Sequence, residues 1–394
     1  MALLHSFWWE EGARAFAAAA ATRALAVGTV AQGLELKRVA ANDALVTDYN
    51  RVAMEARLPG GGRAGRGGDH GQRGRVCCAM QPRFLCLVAL TAILTAGAPP
   101  PPANSGTVRL TWTPTTPRAG SLVVLAVHPD GAADSVSAIR GELAGESLHF
   151  ERVADGFRAL GAVPLGAGDS VVVARVVSEW VGGGDATDTV LAAIRVRPRV
   201  ARRERLRVAP EFARPPDSLA ERIRIESDII KEIRQRAHET PRLWEAPFVR
   251  PSTGAVTSGF GVPRVFNGVV RSRHYGVDFG AERGAPVRST NRGIVAFVAD
   301  FYYSGTTVFI DHGAGLVTGY FHLSHTLVVP GDTVERGQLI GLVGSSGRVT
   351  RSHLHWFGAY GEITVDPLDL IALEKSLAWH QIEPATTGRT DAQR

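Results

Sequence analysis

A chain of 394 residues with 45% hydrophobic content is longer than one core usually supports, so two or three globular units are expected. Its formal charge is +6, but residues 1–98 carry eleven basic and seven acidic side chains and so supply +4, leaving +2 for the rest. No stripe of arginines interleaved with aromatics follows, so nucleic acid is excluded as a partner.

Residues 1–79 hold an alanine run at 17–21 and a Gly/Arg tract at 59–75, with no sustained hydrophobic period. From Met80 the pattern changes. A basic start, thirteen mostly apolar residues at 84–96, Ala96-Gly97-Ala98 and a four-proline run describe a secretory signal peptide over 80–103. Export machinery reads an N-terminus, so Met80 is the expected start and 1–79 an over-extended start or a disordered extension. A cytoplasmic extension with a signal-anchor is the competing reading. Thirteen residues fall short of the roughly 20 that span a bilayer, so no stable transmembrane anchor is expected in the mature chain. Cys77, Cys78 and Cys86 all precede residue 90, and a chain processed beyond them has no thiols to oxidise.

Residues 104–198 read as short alternating strands near 107–113, 121–128, 147–153, 157–163, 170–177 and 190–196, separated by turns such as Pro129-Asp130-Gly131. Six or seven strands at this spacing predict an immunoglobulin-like β-sandwich. His128 and His149 are isolated there and read as ordinary sandwich residues.

Residues 199–245 form a basic linker and an amphipathic helix. The arginine-rich stretch 199–207 is expected to be solvated and flexible. Ser218 and Glu221 have capping-box spacing and open a helix carrying Leu219, Ile223, Ile229, Ile230 and Ile233, which Thr240-Pro241 ends. Its apolar stripe is expected to pack on a neighbouring domain.

Residues 246–372 return to strands with glycine at nearly every turn, which predicts a compact antiparallel sheet or barrel-like catalytic domain, followed by a tail over 373–394. The chain is thus expected to be mainly β. This portion holds His274 and Asp278 four apart, His322 in Tyr320-Phe321-His322-Leu323, and His353 and His355 two apart. Strand side chains alternate, so each pair can share a face and meet around one ion. Two histidines and one carboxylate leave a hydrolytic zinc an open position. His274, Asp278 and His355 can supply those ligands, which leaves His322 and His353 for proton transfer. His312 and His325 read as turn or surface residues.

Singly these pieces arise by chance, but their order within residues 260–369 resembles the lysostaphin-like, LytM-domain zinc endopeptidases of bacterial peptidoglycan. Phe260-Gly261, Asn267-Gly268, His274-Tyr275-Gly276-Val277-Asp278-Phe279, Gly284-Ala285-Pro286-Val287, Tyr320-Phe321-His322-Leu323 and His353-Leu354-His355-Trp356 carry the resemblance. It implies a β-rich fold and one Zn2+ on His274, Asp278 and His355, with His322 and His353 as the catalytic histidines. It also implies peptidoglycan peptides as substrate, an exported protein of the periplasm or cell envelope, and a divisome or cell-wall protein as a partner. Some relatives have lost ligands and instead activate cell-wall amidases; that regulator is the alternative. Two departures stand out. Arg351-Ser352 replaces the Gly-Pro many relatives carry before the His-Leu-His strand, and residues 266–273 contain Phe266 but no tyrosine. Tyr302-Tyr303 falls between strands and either walls the groove or packs.

Overall fold

The computed structural model describes residues 107–181, 187–245, 247–268 and 270–373. The expected signal peptide, the segment 1–79 and residues 374–394 of the tail lie outside them. Among the described residues no helix is long and apolar enough to cross a membrane.

The first unit is built from β1 (Val108–Thr113), β2 (Leu122–Pro129), β3 (Val136–Leu143), β4 (Glu146–Leu148), β5 (Glu151–Val153), β6 (Gly156–Ala162), β7 (Val171–Trp180) and β8 (Thr187–Arg195). They pair as two four-stranded sheets, β1-β2-β6-β5 and β4-β3-β7-β8. Leu125, Ala159, Leu143, Ala174 and Ile194 interlock between the sheets. The reading at 147–153 becomes two short strands, and β3 is an additional one. Exposed Ser137 and Glu142 on β3 dilute its apolar pattern, so it does not stand out in the sequence. β2 is the opposite case. Val123 and Leu125 face the sandwich core, while Leu122 and Val124, with Leu160 and Ala162 of β6, face the second unit. A strand covered on both faces reads as an unbroken apolar run, which Leu-Val-Val-Leu-Ala-Val is.

The basic segment after the sandwich is anchored at two points, although Arg202, Arg203, Arg205 and Arg207 are exposed as expected. Arg199 Nη1 lies 2.8 Å from Asp366 Oδ2, its guanidinium sits over the Phe260 ring, and its Nε donates to the Ala119 carbonyl. Further along, β9 (Glu204–Leu206) pairs with the second unit. Charge content alone cannot show this, because the carboxylate that neutralises Arg199 is 167 residues downstream.

Helix α1 (Ala220–Arg236) follows, but the capping box does not form. Ser218 lies in a 3-10 turn with no side-chain cap bond, and Glu221 pairs with Arg224 instead. The apolar stripe behaves as expected: Ile229 and Ile233 pack on Phe297, Phe301, Phe309, Val317 and Phe357 of the second unit.

That unit contains β10 (Ala255–Ser258), β11 (Pro263–Phe266), β12 (Val270–Arg273), β13 (Gly276–Gly280), β14 (Pro286–Arg288), β15 (Gly293–Phe301) and β16 (Gly305–Gly313). It continues with β17 (Leu316–Thr326), β18 (Thr333–Val334), β19 (Leu339–Val343), β20 (His353–Tyr360), β21 (Ile363–Val365) and helix α2 (Leu368–Ala372). A ten-stranded sheet runs β10-β13-β20-β17-β16-β15-β18, with β14, β19 and β21 on its sides, and β12-β11-β9 forms a small separate sheet. The large sheet has two dissimilar faces. Val277, Phe279, Tyr320, Leu354 and Trp356 fill one, against the sandwich. On the other, α1 covers Phe309, Val317 and Phe357 and leaves the far end of the same face open.

Candidate metal centre

The open end of that face carries the histidines. β13 and β20 are antiparallel with Asp278 directly opposite His355 and Gly280 opposite His353. Alternation along β20 then puts His353, His355 and Phe357 on one face, with Leu354 and Trp356 buried on the other. His274 does not share a strand with Asp278 as the spacing suggested. It lies between β12 and β13 and arrives by a turn. Gly276 lets it do so: a Cβ there would stand 2.5 Å from His355 Nε2 and 2.5 Å from the Trp356 carbonyl oxygen.

His274 Nε2, Asp278 Oδ1 and His355 Nδ1 are mutually 2.9 Å apart. They form the one group of three ligand-type side chains found close enough for a metal among the described residues. The His274 Nδ1–H donates to the Gly259 carbonyl at 2.7 Å, so in the neutral ring Nε2 keeps its lone pair. Three electron-pair donors this close repel one another unless a cation or a shared proton lies between them. Two imidazoles and a carboxylate on two strands and a tight turn therefore fit a divalent metal with an open position. Burial works against the Asp278 charge, but in the metal-free site a proton shared with His274 and His355 holds its carboxyl well below the usual carboxylate range. Burial also pushes the His355 imidazole down to about 4, which keeps it neutral and able to ligate.

His322 reaches the site by a different device. Phe321 is paired with His355 across β17 and β20, so simple alternation would send His322 to the buried face. Instead His322 has φ +63°, and the pairing register shifts just beyond it. Tyr320 and Leu323 both reach the core, leaving Phe321 and His322 together on the site side. His322 and His353 lie with ring centroids 4.9 Å apart. Each gives its Nδ1–H to a carbonyl, that of Ser346 at 2.8 Å and that of Arg351 at 2.9 Å, so both present Nε2 lone pairs when neutral. His353 Nε2 is 3.6 Å from Asp278 Oδ1. Burial, reinforced by the neighbouring His353 and His355, drives the His322 imidazole well below its ordinary value.

Three contributors escaped sequence reasoning. Arg264 Nη2 is 2.6 Å from Asp278 Oδ2, while its Nε binds Glu204 Oε2 at 3.0 Å. The segment read as a flexible linker thus supplies Glu204, which anchors the arginine behind a candidate ligand. Phe321 lies flat on His355, with centroids 5.1 Å apart and planes 7° from parallel. Arg348 lines the same cavity of about 340 Å³, together with Phe266, Tyr303, His322 and His353. No spacing rule marks these residues, since each acts across a sheet or turn. Of the tyrosine pair, Tyr303 faces the cavity, whereas Tyr302 packs on Phe212 and donates to the Glu211 carbonyl. His312 is not a surface residue. It is fully buried, with Nδ1 on the Arg292 carbonyl and Nε2 on Thr318 Oγ1. His325, at the edge of β17, is exposed.

An antiparallel sheet presenting a His-Asp-His group beside two lone-pair-bearing histidines has the parts of a metal-dependent hydrolase. Residues 272–367 match the family model described as Peptidase family M23, and this portion of the chain is a LytM-like domain of that family. It is 46% identical over 83 residues to the peptidoglycan DD-endopeptidase ShyA of Vibrio cholerae serotype O1, covering 21% of this chain and 19% of that protein. It is 39% identical over 130 residues to ShyB of the same organism, also named a peptidoglycan DD-endopeptidase, covering 32% and 30%. The DD-carboxypeptidase/endopeptidase Mpg of Neisseria gonorrhoeae is 37% identical over 97 residues, covering 25% and 22%. The matched segment spans less than a third of the length of each of these relatives.

Proposed function

We propose that the chain is an exported zinc endopeptidase that hydrolyses peptide bonds of bacterial cell-wall peptidoglycan. The observation that carries this reading is the convergence of His274 Nε2, Asp278 Oδ1 and His355 Nδ1 within 2.9 Å of one another, beside His322 and His353. Those three side chains would hold one zinc ion, which when bound supplies Lewis acidity and a water acidified toward neutral pH. Arg264 keeps Asp278 anionic and oriented through Oδ2. His322 and His353, held by backbone carbonyls at Nδ1, face the reacting groups through Nε2. One takes the proton of the attacking water at Nε2 and passes that same proton to the leaving amine, while the other, in its protonated form, hydrogen-bonds the developing tetrahedral centre. Desolvation keeps the His322 imidazole neutral, so its Nε2 lone pair is available to the attacking water.

The printed names of ShyA and ShyB make the cross-link between D-residues the first bond to test. Export to the periplasm rests on the signal-like segment 80–103. We read the sandwich as immunoglobulin-like, supported by its strand orders β1-β2-β6-β5 and β4-β3-β7-β8, which follow the A-B-E-D and C-F-G pattern with one added strand. An amidase-activating regulator would have lost members of the site, and all five are in place.

The test is digestion of purified sacculi by the full chain with zinc, compared with a chelator-treated sample and with His322→Ala. Release of soluble cross-link-cleaved fragments by the parent alone is expected. Equal release by all three, or none by the parent, removes the endopeptidase reading.

A further inference from the structure

Arg348 is chemically unusual for its position. It is partly buried in the wall of the metal-centre cavity, where a guanidinium normally acquires a carboxylate partner. Among the described residues its side chain makes no hydrogen bond and no ion pair. Only its backbone N–H is engaged, by the Tyr303 carbonyl at 2.8 Å. Its guanidinium carbon instead lies 4.3 Å from the Phe266 ring centroid and 4.4 Å from that of Tyr303. Aromatic rings over a guanidinium hold its faces and leave the N–H edge as the route to a partner. Arg264, the other cation nearby, is already matched by Asp278 and Glu204. Arg351 and Arg273, both exposed, add positive charge on the same cavity, and the Arg273 Nη1 is engaged by the Gly261 carbonyl.

Position supports a substrate role. Arg348 is two residues beyond Ser346, whose carbonyl orients His322, and Gly347 between them has φ +72° and packs against the backbone of Tyr303 and Gly305. The backbone that aims His322 therefore also sets Arg348 in the cavity wall. Burial pushes the guanidinium pKa below its ordinary value, as expected for a desolvated cation lacking an anion. A planar, aromatic-held guanidinium is suited to take both oxygens of one carboxylate in its plane.

We propose that Arg348 is a specificity-determining residue that pairs with a free carboxylate of the bound peptide. The groove accordingly takes an anionic cell-wall peptide in preference to a neutral glycine bridge. The inference rests on the endopeptidase reading for its substrate class, but its test has a binding arm that does not require turnover.

Two synthetic cross-linked peptides are compared, identical except that one carries free carboxylates and the other the corresponding carboxamides. With the full chain, kcat/KM is expected to favour the acid form by about 10- to 100-fold, chiefly through KM, the range a charge-assisted pair provides. Arg348→Gln should bring the acid form down to the rate of the amide form, and Arg348→Lys should keep part of the preference. In the second arm the same peptides are titrated into His322→Ala with and without Arg348→Gln. Tighter binding of the acid form, cancelled by Arg348→Gln, is expected. Equal handling of the two peptides by the parent overturns the inference while leaving the endopeptidase reading intact. An equal loss on both peptides in Arg348→Gln also overturns it, because that is the signature of a merely structural role. Should the parent cleave neither peptide, the endopeptidase reading fails, and the affinities alone decide the carboxylate claim: equal or absent binding overturns it.

Discussion

Arg264 and Asp278 are joined by a 2.6 Å contact from Nη2 to Oδ2, while the other oxygen of the same carboxylate faces His274 and His355. One carboxylate is thereby divided between a guanidinium behind it and the candidate metal in front. The arginine, itself in the cavity wall, fixes the rotamer and charge of Asp278 without being a candidate ligand. Arg264→Gln is expected to weaken zinc binding about 10- to 100-fold, the usual consequence of losing a partner behind a ligand. Competition against a chromogenic chelator measures this. An unchanged affinity would mean that Asp278 is positioned by the sheet alone.

The close approach at Gly276 gives a second prediction. A methyl group there meets the His355 ring and the rigid Trp356 carbonyl, each at 2.5 Å. Gly276→Ala should cost about 1–3 kcal/mol of stability, in the range of overpacked sites, and should lower zinc affinity by tilting His355. Denaturant unfolding and metal titration on one preparation read both effects. A variant that keeps parental metal affinity would show that His355 has slack to move.

His322 allows backbone and side chain to be separated. Its φ of +63° disfavours any residue with a Cβ, so the ordinary ranking of Ala over Gly should invert. His322→Gly is expected to be more stable than His322→Ala by about 1 kcal/mol, although both lose the imidazole. Equal stabilities, or Ala the more stable, would remove the left-handed turn from the explanation of how His322 reaches the site.

Asp369, at the junction of the two units, provides a pH test. Its Oδ2 accepts the Leu122 N–H at 3.0 Å. Burial, with a smaller push from the charge of Asp366, raises its pKa from 3.8 to about 6, and Arg199 only partly opposes this. The folded chain therefore holds a proton that the unfolded chain has already released between about pH 4 and pH 6. This contribution is fully present below the unfolded pKa and is lost as pH rises through the folded one. Its size is at most about 2–3 kcal/mol. Asp369→Asn keeps an acceptor for Leu122 and carries no charge. Its stability relative to the parent should rise with pH across that window, as followed by denaturant unfolding. A pH-independent difference would contradict the assignment.

The five site residues were legible because their types, spacing and order are carried by the chain itself. The strands were mostly legible where one face is polar or both are buried, as in β2. What the sequence hid depends on distant partners. The Ser218 capping box lost to a 3-10 turn and a Glu221–Arg224 pair, Arg199 found Asp366, and the backbone of 204–206 found the β11 edge. His274 lies off the strand it was placed in, and His322 needs a left-handed residue that no periodicity announces. His312 looked like a turn residue because the hydrogen-bonding Arg292 carbonyl and Thr318 lie on other segments.

The central claim is that His274, Asp278 and His355 ligate one zinc while His322 works beside it. The most direct measurement is zinc content per chain after gel filtration, for the parent, His355→Ala and His322→Ala. One zinc in the parent, less than a tenth of that in His355→Ala and close to one in His322→Ala is the predicted result, the loss following from removal of one of only three ligands (on the order of 10-fold or more). Zinc absent from the parent, or retained equally by His355→Ala, would contradict the account.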